Sequence, residues 1–156
     1  MRFLWVVTAA FGFAASAGAG ERADPLNVRG WLDGCAGLST SNIADEMDRN
    51  CIGLAYDYCE MGRAHEERRP CIVSLNEHAK AQTAQLISVL PETVEGYGVF
   101  QQRRYSETLD RLQNVTTATD CTQMPKLHCE SFRVMSRWLD ARNLARMASK
   151  LEGTGE

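Results

Sequence analysis

The sequence predicts an all-α fold, a small bundle of about four helices stapled by three disulfides. Four segments repeat apolar residues at spacings of three and four, the period of an amphipathic helix. No segment sustains the alternation of apolar and polar residues that marks a half-buried strand. Six cysteines follow an export signal, and an even number in an exported chain is typical of a disulfide framework. The expected architecture is an αα-hairpin plus two further helices.

The amino terminus, MRFLWVVTAAFGFAASAGAGE, has the layout of a secretory signal peptide. Arg2 precedes an apolar run, and Ala17-Gly18-Ala19 supplies an A-x-A cleavage site. The run is shorter than the roughly 20 apolar residues of a transmembrane segment, which argues against the alternative of an uncleaved anchor. We therefore expect a signal peptide over 1–19, a single helical disulfide-stabilised domain over 20–156, and a periplasmic or secreted protein.

Composition and charge are those of an ordinary globular domain. The chain is 44% hydrophobic and 24% charged, enough for a modest core. Loss of the signal peptide removes one of 17 basic residues and none of the 20 acidic ones, so the net charge moves from −3 to about −4. A nucleic-acid-binding domain would be basic overall, so no nucleic acid is expected as a partner.

The first predicted helix covers 42–61, within SNIADEMDRNCIGLAYDYCEMG. Ser41 or Asn42 is available as its N-cap, and Gly62 as its stop. Its apolar stripe at spacings of four, three and four consists of Met47, Cys51, Leu54 and Tyr58.

The second predicted helix begins at Pro70, which suits a first helical position, and closes at Pro91. Its stripe consists of Ile72, Leu75, Ala79, Thr83, Leu86 and Leu90. The polar run RAHEERR connects it to the first helix, which predicts an αα-hairpin.

Two further helices complete the predicted bundle. The third covers 98–114, after a loop marked by Gly96 and Gly98. Its stripe consists of Gln102, Tyr105, Leu109 and Leu112. The fourth covers 125–151 and has a broad apolar face. That face consists of Phe132, Met135 and Leu139 beside Val134, Trp138, Ala141, Ala145 and Ala148.

The cysteines are interpreted as disulfides rather than as a metal or redox site. Both alternatives call for short spacings such as C-x-x-C, which the chain does not contain. The six are Cys35, Cys51, Cys59, Cys71, Cys121 and Cys129. Six cysteines permit fifteen pairings, so connectivity must be argued from the helices.

Helix geometry favours one set of pairs. Cys51 and Cys59 lie eight residues apart on one helix, about 12 Å along its axis, which is beyond the reach of a disulfide. In the hairpin Cys59 and Cys71 lie at the same end and can bridge it, which leaves Cys51 for Cys35. A local bridge then joins the two remaining cysteines, Cys121 and Cys129.

A competing scheme follows from the equal spacing of Cys51 to Cys59 and of Cys121 to Cys129. On two antiparallel helices, that spacing would pair Cys51 with Cys129 and Cys59 with Cys121. Pro125 opposes a continuous helix there by about 3 kcal/mol.

Two charged groups are the candidate partner contacts. The first lies in the hairpin connector and consists of His65, Glu66, Glu67, Arg68 and Arg69. The second is Arg142 and Arg146, which belong to a basic stripe on the expected outer face of the last helix. The other members of that stripe are Arg133, Arg137 and Lys150. It suits an anionic partner such as peptidoglycan, an acidic protein or a phospholipid head group. The alternative for both is a solvated face. For the second group, the cations would also suit the negative end of the helix dipole.

No catalytic, metal or cofactor site is predicted. The chain contains neither G-x-S-x-G nor H-E-x-x-H. Asp45, Glu46 and Asp48 fall in the first turns of a helix, where acidic residues favour its positive end without chemistry. The three histidines are scattered, namely His65, His78 and His128. We therefore expect a protein that is not an enzyme, with no metal and no cofactor.

Three stretches carry a resemblance to a known family: CAGLSTSNIADEMDRNCIGLAY, SLNEHAKAQTAQLI and CESFRVMSRWLDARNLARMA. They are similar to the LprI-type lysozyme inhibitors, a family of exported bacterial proteins. The resemblance rests on Cys35, Met47, Cys51, Tyr56, Leu75, Asn76, Cys129 and Arg142. The chain departs from the family pattern by the insertion CEMGRAHEERRPC and by a segment around Tyr105 where the family usually has a tryptophan.

The resemblance implies an exported, non-catalytic binding protein of the bacterial cell envelope, whose partner is a lysozyme or another envelope protein. The alternative is a structural or envelope-stress helical protein that binds no lysozyme.

Overall fold

The computed structural model describes residues 27–38, 43–114, 121–123 and 125–152. Across these residues the chain forms helices and no strand. The helices are α1 (Val28–Gly37), α2 (Ala44–Met61), α3 (His65–Val89), α4 (Val99–Gln113) and α5 (Lys126–Glu152). The predicted all-α class is confirmed, although the predicted number of about four helices is one too low. None of the helices in the described part combines the length and apolar character needed to cross a membrane.

The helix absent from the prediction is α1. Asn27 caps it, because its side chain accepts a hydrogen bond from the Gly30 amide at 3.2 Å. Val28, Leu32 and Ala36 repeat every four residues and are all buried. Cys35, which forms the first disulfide, therefore lies on a helix that was not predicted.

The predicted helix at 42–61 corresponds to α2, but the buried face differs from the predicted stripe. The buried residues are Ala44, Asp48, Cys51, Ile52, Ala55 and Cys59. Leu54 is 55% exposed, because the core-facing side is set by small residues and the two half-cystines rather than by the larger apolar side chains. Gly62 ends the helix as predicted, with its amide donating to Tyr58 O at 2.9 Å. The predicted N-caps, Ser41 and Asn42, lie outside the described residues.

The predicted second helix corresponds to α3, which begins at His65 instead of Pro70. The Glu67 amide donates to Ala64 O at 2.9 Å, so the first turn is already helical. Glu66 and Glu67 in this turn favour the positive end of the helix dipole. Pro70 forfeits only one backbone hydrogen bond near the helix start, which explains why the helix tolerates it. The predicted core stripe is confirmed at four buried positions, Ile72, Leu75, Ala79 and Thr83.

The last two predicted helices are observed within one residue of their predicted bounds, as α4 and α5. The loop before α4 contains Gly96 with a φ of 76°, a conformation that favours glycine. The buried residues of α4 are the predicted Tyr105, Leu109 and Leu112. On α5, Phe132 is 45% exposed, so its predicted burial is wrong, whereas Val134, Trp138 and Ala141 are buried as predicted.

Contacts along α5 show how its neighbours run. Later residues of α2 contact earlier residues of α5, so the two helices are antiparallel; the contacts are Asp48–Arg142 and Glu60–His128. Later residues of α3 contact later residues of α5, so these two are parallel; the contacts are Asn76–Ser131 and Trp138–Gln82. The long α5 therefore lies against both helices of the α2–α3 hairpin.

The core consists of two clusters that share α3 and α5. The first joins α1, α2, α3 and the first half of α5, and its fully buried members include Leu32, Ile52, Leu75 and Trp138. The second joins α4 to the later parts of α3 and α5, and includes Val94, Tyr105, Leu109, Leu112, Ala141 and Leu144. Each fully buried large apolar side chain contributes about 1.5–3 kcal/mol, so α5 is central to the stability of both clusters.

The three disulfides match the pairing that helix geometry favours. Cys35–Cys51, Cys59–Cys71 and Cys121–Cys129 have Cα separations of 5.8, 5.4 and 5.7 Å. These separations lie within the ordinary range of about 4.4–6.8 Å. The competing pairing between two antiparallel helices is wrong, because Cys121 precedes α5 in a turn instead of lying on a helix.

Candidate functional site

The end of the α2–α3 hairpin, residues 62–71, holds the first predicted group of contact residues. A three-residue turn, Gly62–Ala64, connects the helices, and the Cys59–Cys71 disulfide closes the hairpin beside it. A side chain at Gly62 would place a Cβ 2.7 Å from the Tyr58 ring, so this close approach requires glycine. The hairpin end is thus fixed by both covalent and steric constraints.

All five residues of this predicted group are exposed, and all lie on the first turns of α3. Their expected position in a loop connector is wrong, because the helix already begins at His65. Arg68 Nε donates to Arg63 O at 3.5 Å, and the Arg63 guanidinium lies 5.1 Å from the centre of the Tyr58 ring. The charged side chains are therefore displayed from a helix of defined direction.

A shallow groove runs between the hairpin end and the start of α1. It has a volume of about 360 Å³. Arg29 borders it on α1, whereas Arg63, Glu66 and Glu67 border it on the hairpin side. The charges balance, so this groove selects no ligand by net charge alone.

The second predicted group, Arg142 and Arg146, lies against a buried carboxylate instead of on a solvated outer face. Arg142 Nε donates to Asp48 Oδ2 at 2.7 Å, and its Nη2 donates to Ala36 O at 2.6 Å. Arg146 forms ion pairs with Asp48 and Asp45. Both arginine side chains are 22% exposed. Their expected outer position is wrong, because Asp48 draws both guanidiniums inward; a partner contact through them stays a prediction.

Asp48 has a role that its sequence context did not predict. Its side chain is 0% exposed, and its Oδ1 has no hydrogen-bond partner among the described residues. The pair Arg142–Asp48 is further enclosed by Trp138, whose ring centre lies 5.1 Å from the Arg142 guanidinium. Asp48 shares the buried side of α2 with Cys51 and Ile52, and this helical spacing is the signal that could have identified it.

A second buried polar chain links α2, α3 and α5. Tyr56 OH donates to Asn76 Oδ1 at 2.5 Å, and Asn76 Nδ2 donates to Ser131 Oγ at 3.3 Å. Ser131 Oγ donates in turn to Leu127 O at 3.0 Å. Burial raises the pKa of Tyr56 well above its ordinary value, so the phenol keeps its proton and remains a donor. The chain satisfies polar groups in the core, which is a structural role.

A carboxylate–histidine pair joins α1 to α3. His78 Nε2 lies 2.7 Å from Asp33 Oδ1, and the Gln82 amide donates to the same carboxylate oxygen. Trp138 Nε1 donates to Gln82 Oε1 at 2.6 Å. Nucleophilic catalysis would need a hydroxyl or thiol in contact with the histidine, whereas the groups linked to this pair are an amide and an indole. The arrangement therefore connects helices.

An open groove lies between α3 and α5 at the end of α4, and we call it the α3–α5 groove. Its volume is about 660 Å³. The apolar part of its lining includes Ala84, Ile87, Leu112 and Val134. Thr83, also in the lining, donates its hydroxyl to Ala79 O at 2.7 Å.

The rim of the α3–α5 groove is charged. Lys80 Nζ donates to Glu130 Oε1 at 2.6 Å, and this hydrogen bond together with the ammonium charge lowers the pKa of Glu130. Arg137 donates to Leu112 O at 2.6 Å, and Arg133 lies one helical turn before it. Three basic side chains and one carboxylate give the rim a net charge of +2.

Across the described residues, no three His, Cys, Asp or Glu side chains are grouped so as to hold a metal ion. Comparisons with protein-family models, with curated proteins and with solved structures found no match to the chain. The resemblance to the LprI-type inhibitors therefore rests on the three sequence stretches alone.

Proposed function

We propose that the protein is an exported, non-catalytic binding protein of the bacterial cell envelope that inhibits a lysozyme, the activity that its resemblance to the LprI-type family implies. The observation that carries the proposal is the disulfide-closed hairpin end, which displays exposed arginines from a rigid helix. The three disulfides support export, since such bonds persist in oxidising compartments such as the periplasm and the extracellular space.

The chemistry of the target explains why arginine is suited to this role. Glycoside hydrolases of the lysozyme type act through a pair of carboxyl groups that flank the scissile bond. A guanidinium forms bidentate, charge-assisted hydrogen bonds with a carboxylate. Arg68 and Arg69 are adjacent, exposed and close to the turn of the hairpin. We propose that one of them occupies the substrate cleft of the lysozyme and contacts its catalytic carboxylates.

The rigidity of the hairpin end supports tight binding. Ordering a loose loop on association costs roughly 0.5–1.5 kcal/mol for each immobilised side chain. At this hairpin end the backbone is helical from His65 onward and is held by the Cys59–Cys71 bond. Less conformational freedom is lost on binding than a flexible connector would lose.

The test measures lysis of cell-wall substrate by c-type and g-type lysozymes in the presence of the purified, oxidised protein. We expect dose-dependent inhibition of at least one enzyme. The double variant Arg68→Ala/Arg69→Ala should inhibit at least about tenfold less well, the loss expected for one charge-assisted hydrogen bond.

The matched control is Arg103→Ala/Arg104→Ala, an adjacent and exposed arginine pair on α4. This control should inhibit as the unmodified protein does. Equal loss in both double variants would point to net charge alone and would contradict a contact at the hairpin end. No inhibition of either enzyme at high molar excess would contradict lysozyme inhibition itself.

A structural or envelope-stress role without lysozyme binding is the second candidate. The observation in its favour is that Arg142 and Arg146 are engaged with Asp48 and Asp45 inside the molecule. Because these two arginines stabilise the fold, fewer cationic side chains of α5 remain to contact a partner. The lysis assay separates the two candidates, because only the first predicts inhibition.

A further inference from the structure

The α3–α5 groove exists because α4 is much shorter than the helices it packs against. It has 15 residues, whereas α3 has 25 and α5 has 27. The end of α4 is fixed beside Arg137, whose guanidinium donates to Leu112 O. The α3–α5 face on the amino-terminal side of Arg137 therefore extends beyond α4.

This face, which no helix in the described part of the chain covers, combines an apolar lining with a basic rim. Ala84 and Ile87 on α3 face the groove together with Val134 on α5. The rim carries a net charge of +2, and its one carboxylate, Glu130, is hydrogen-bonded to Lys80. The two guanidiniums of Arg133 and Arg137 lie one helical turn apart on α5.

We propose that the α3–α5 groove binds a single-chain anionic amphiphile with a carboxylate head, such as a fatty acid. The apolar lining takes the alkyl chain, and the positive rim takes the head, since guanidinium forms bidentate hydrogen bonds with a carboxylate. The volume of about 660 Å³ falls in the range of roughly 300–1,000 Å³ that small-molecule sites have. This groove lies on different residues from the hairpin end, so the site does not depend on lysozyme binding.

Charge complementarity distinguishes this occupant from a neutral or cationic one. A ligand without the head-group charge should lose its contact with the rim and bind only through burial of its alkyl chain. A charge-assisted hydrogen bond contributes enough to change affinity about tenfold or more. Decanoate, decanol and decyltrimethylammonium have the same chain and differ in head-group charge, so they separate the two contributions.

The experiment titrates the oxidised full-length protein with these three probes by calorimetry, below the concentration at which they form micelles. Decanoate should bind at least about tenfold more tightly than the other two. Ala84→Phe, which fills the groove, should weaken decanoate by a similar factor. Ala81→Phe is the matched control, because Ala81 is also exposed on α3 but does not line the groove.

A third variant, Arg133→Gln, keeps the test decisive if Ala84→Phe disturbs the fold. It should bring the affinity for decanoate down to that for decanol. Equal binding of the three probes, or an equal effect of Ala81→Phe and Ala84→Phe, would overturn the proposal. So would the absence of decanoate binding, the result expected if the groove receives another protein or residues 115–120 of this chain.

Discussion

Replacement of Asp48 by asparagine is the most demanding test of how this fold is held together. The substitution keeps the size and shape of the side chain and removes its charge. In the native protein that charge is buried at 0% exposure and receives hydrogen bonds from Arg142 and Arg146. Arg142 also donates to Ala36 O, so the cluster ties α1, α2 and α5 together.

The magnitude follows from the burial of the partners. Removal of one member of a buried ion pair costs about 3–5 kcal/mol, because the opposite charge is left uncompensated. Here the arginine side chains retain 22% exposure, so water partly compensates for the loss. We therefore expect Asp48→Asn to lower the free energy of unfolding by about 3 kcal/mol, at the lower end of that range. For a domain whose total stability is about 5–15 kcal/mol, this is a large fraction.

The assay is equilibrium unfolding in urea with the disulfides intact, followed by far-ultraviolet circular dichroism. The stability change is obtained from the shift in midpoint at an unchanged slope. The matched control is Asp45→Asn, because Asp45 also pairs with Arg146 but is 55% exposed. An exposed pair contributes about 1 kcal/mol or less, so the control should unfold close to the unmodified protein.

Equal, small effects of Asp48→Asn and Asp45→Asn would refute this reasoning. They would mean that the two guanidiniums find equivalent solvation without the buried carboxylate. A large effect of Asp45→Asn with a small effect of Asp48→Asn would also contradict it, because burial would then not decide the contribution.

Three further predictions concern individual bonds. Cys59→Ala/Cys71→Ala should lower stability by about 3 kcal/mol, the loop-closure value for a separation of 12 residues, and an unchanged melting temperature would contradict this. The Lys80 ammonium lowers the pKa of Glu130, so the pair stabilises the fold above about pH 4.3 and this contribution is lost as pH falls. Both side chains of the pair are about half exposed, so Glu130→Gln should lower the free energy of unfolding by less than about 1 kcal/mol at pH 7 and leave it unchanged in strong acid. A loss of stability that grew as the pH fell would contradict this prediction. Burial raises the pKa of Tyr56, so the stability that this phenol contributes is complete below about pH 10 and falls progressively as the pH rises further. Urea titrations at pH 8 and pH 11 should therefore show a smaller loss of stability at the higher pH for Tyr56→Phe than for the unmodified protein.

Helical spacing and cysteine geometry were sufficient to predict much of the scaffold. Periodicity located α4 and α5 almost to the residue, and the reach of a disulfide selected the observed pairs. The helix α1 was missed because it is only 10 residues long and contains three glycines. Its stability comes from the packing of residues such as Leu32 against other helices, which local propensity does not describe.

The polar interior was harder to predict for a physical reason. Asp48 looks like a first-turn carboxylate in the sequence, and Arg142 and Arg146 look like a basic surface stripe. The two arginines lie 94 and 98 positions after Asp48 in the sequence, so no local pattern contains their pairing with it. Only the antiparallel packing of α2 on α5 brings the charges together, and this packing is a property of the whole fold.

The residues through which the sequence resembles the LprI-type inhibitors are mostly engaged inside the molecule. Cys35 is bonded to Cys51, Tyr56 donates to Asn76, and Arg142 donates to Asp48. Such residues constrain how the helices pack and leave few groups for a partner.

The segment by which the sequence departs from the LprI-type pattern, CEMGRAHEERRPC, has the opposite character. It contains the hairpin end, where every residue from His65 to Pro70 is exposed. If lysozyme binding used only the surface common to the family, the Arg68→Ala/Arg69→Ala variant would inhibit as well as the unmodified protein. Loss of inhibition in that variant would instead assign the specificity of this chain to the part of its sequence that the family does not share.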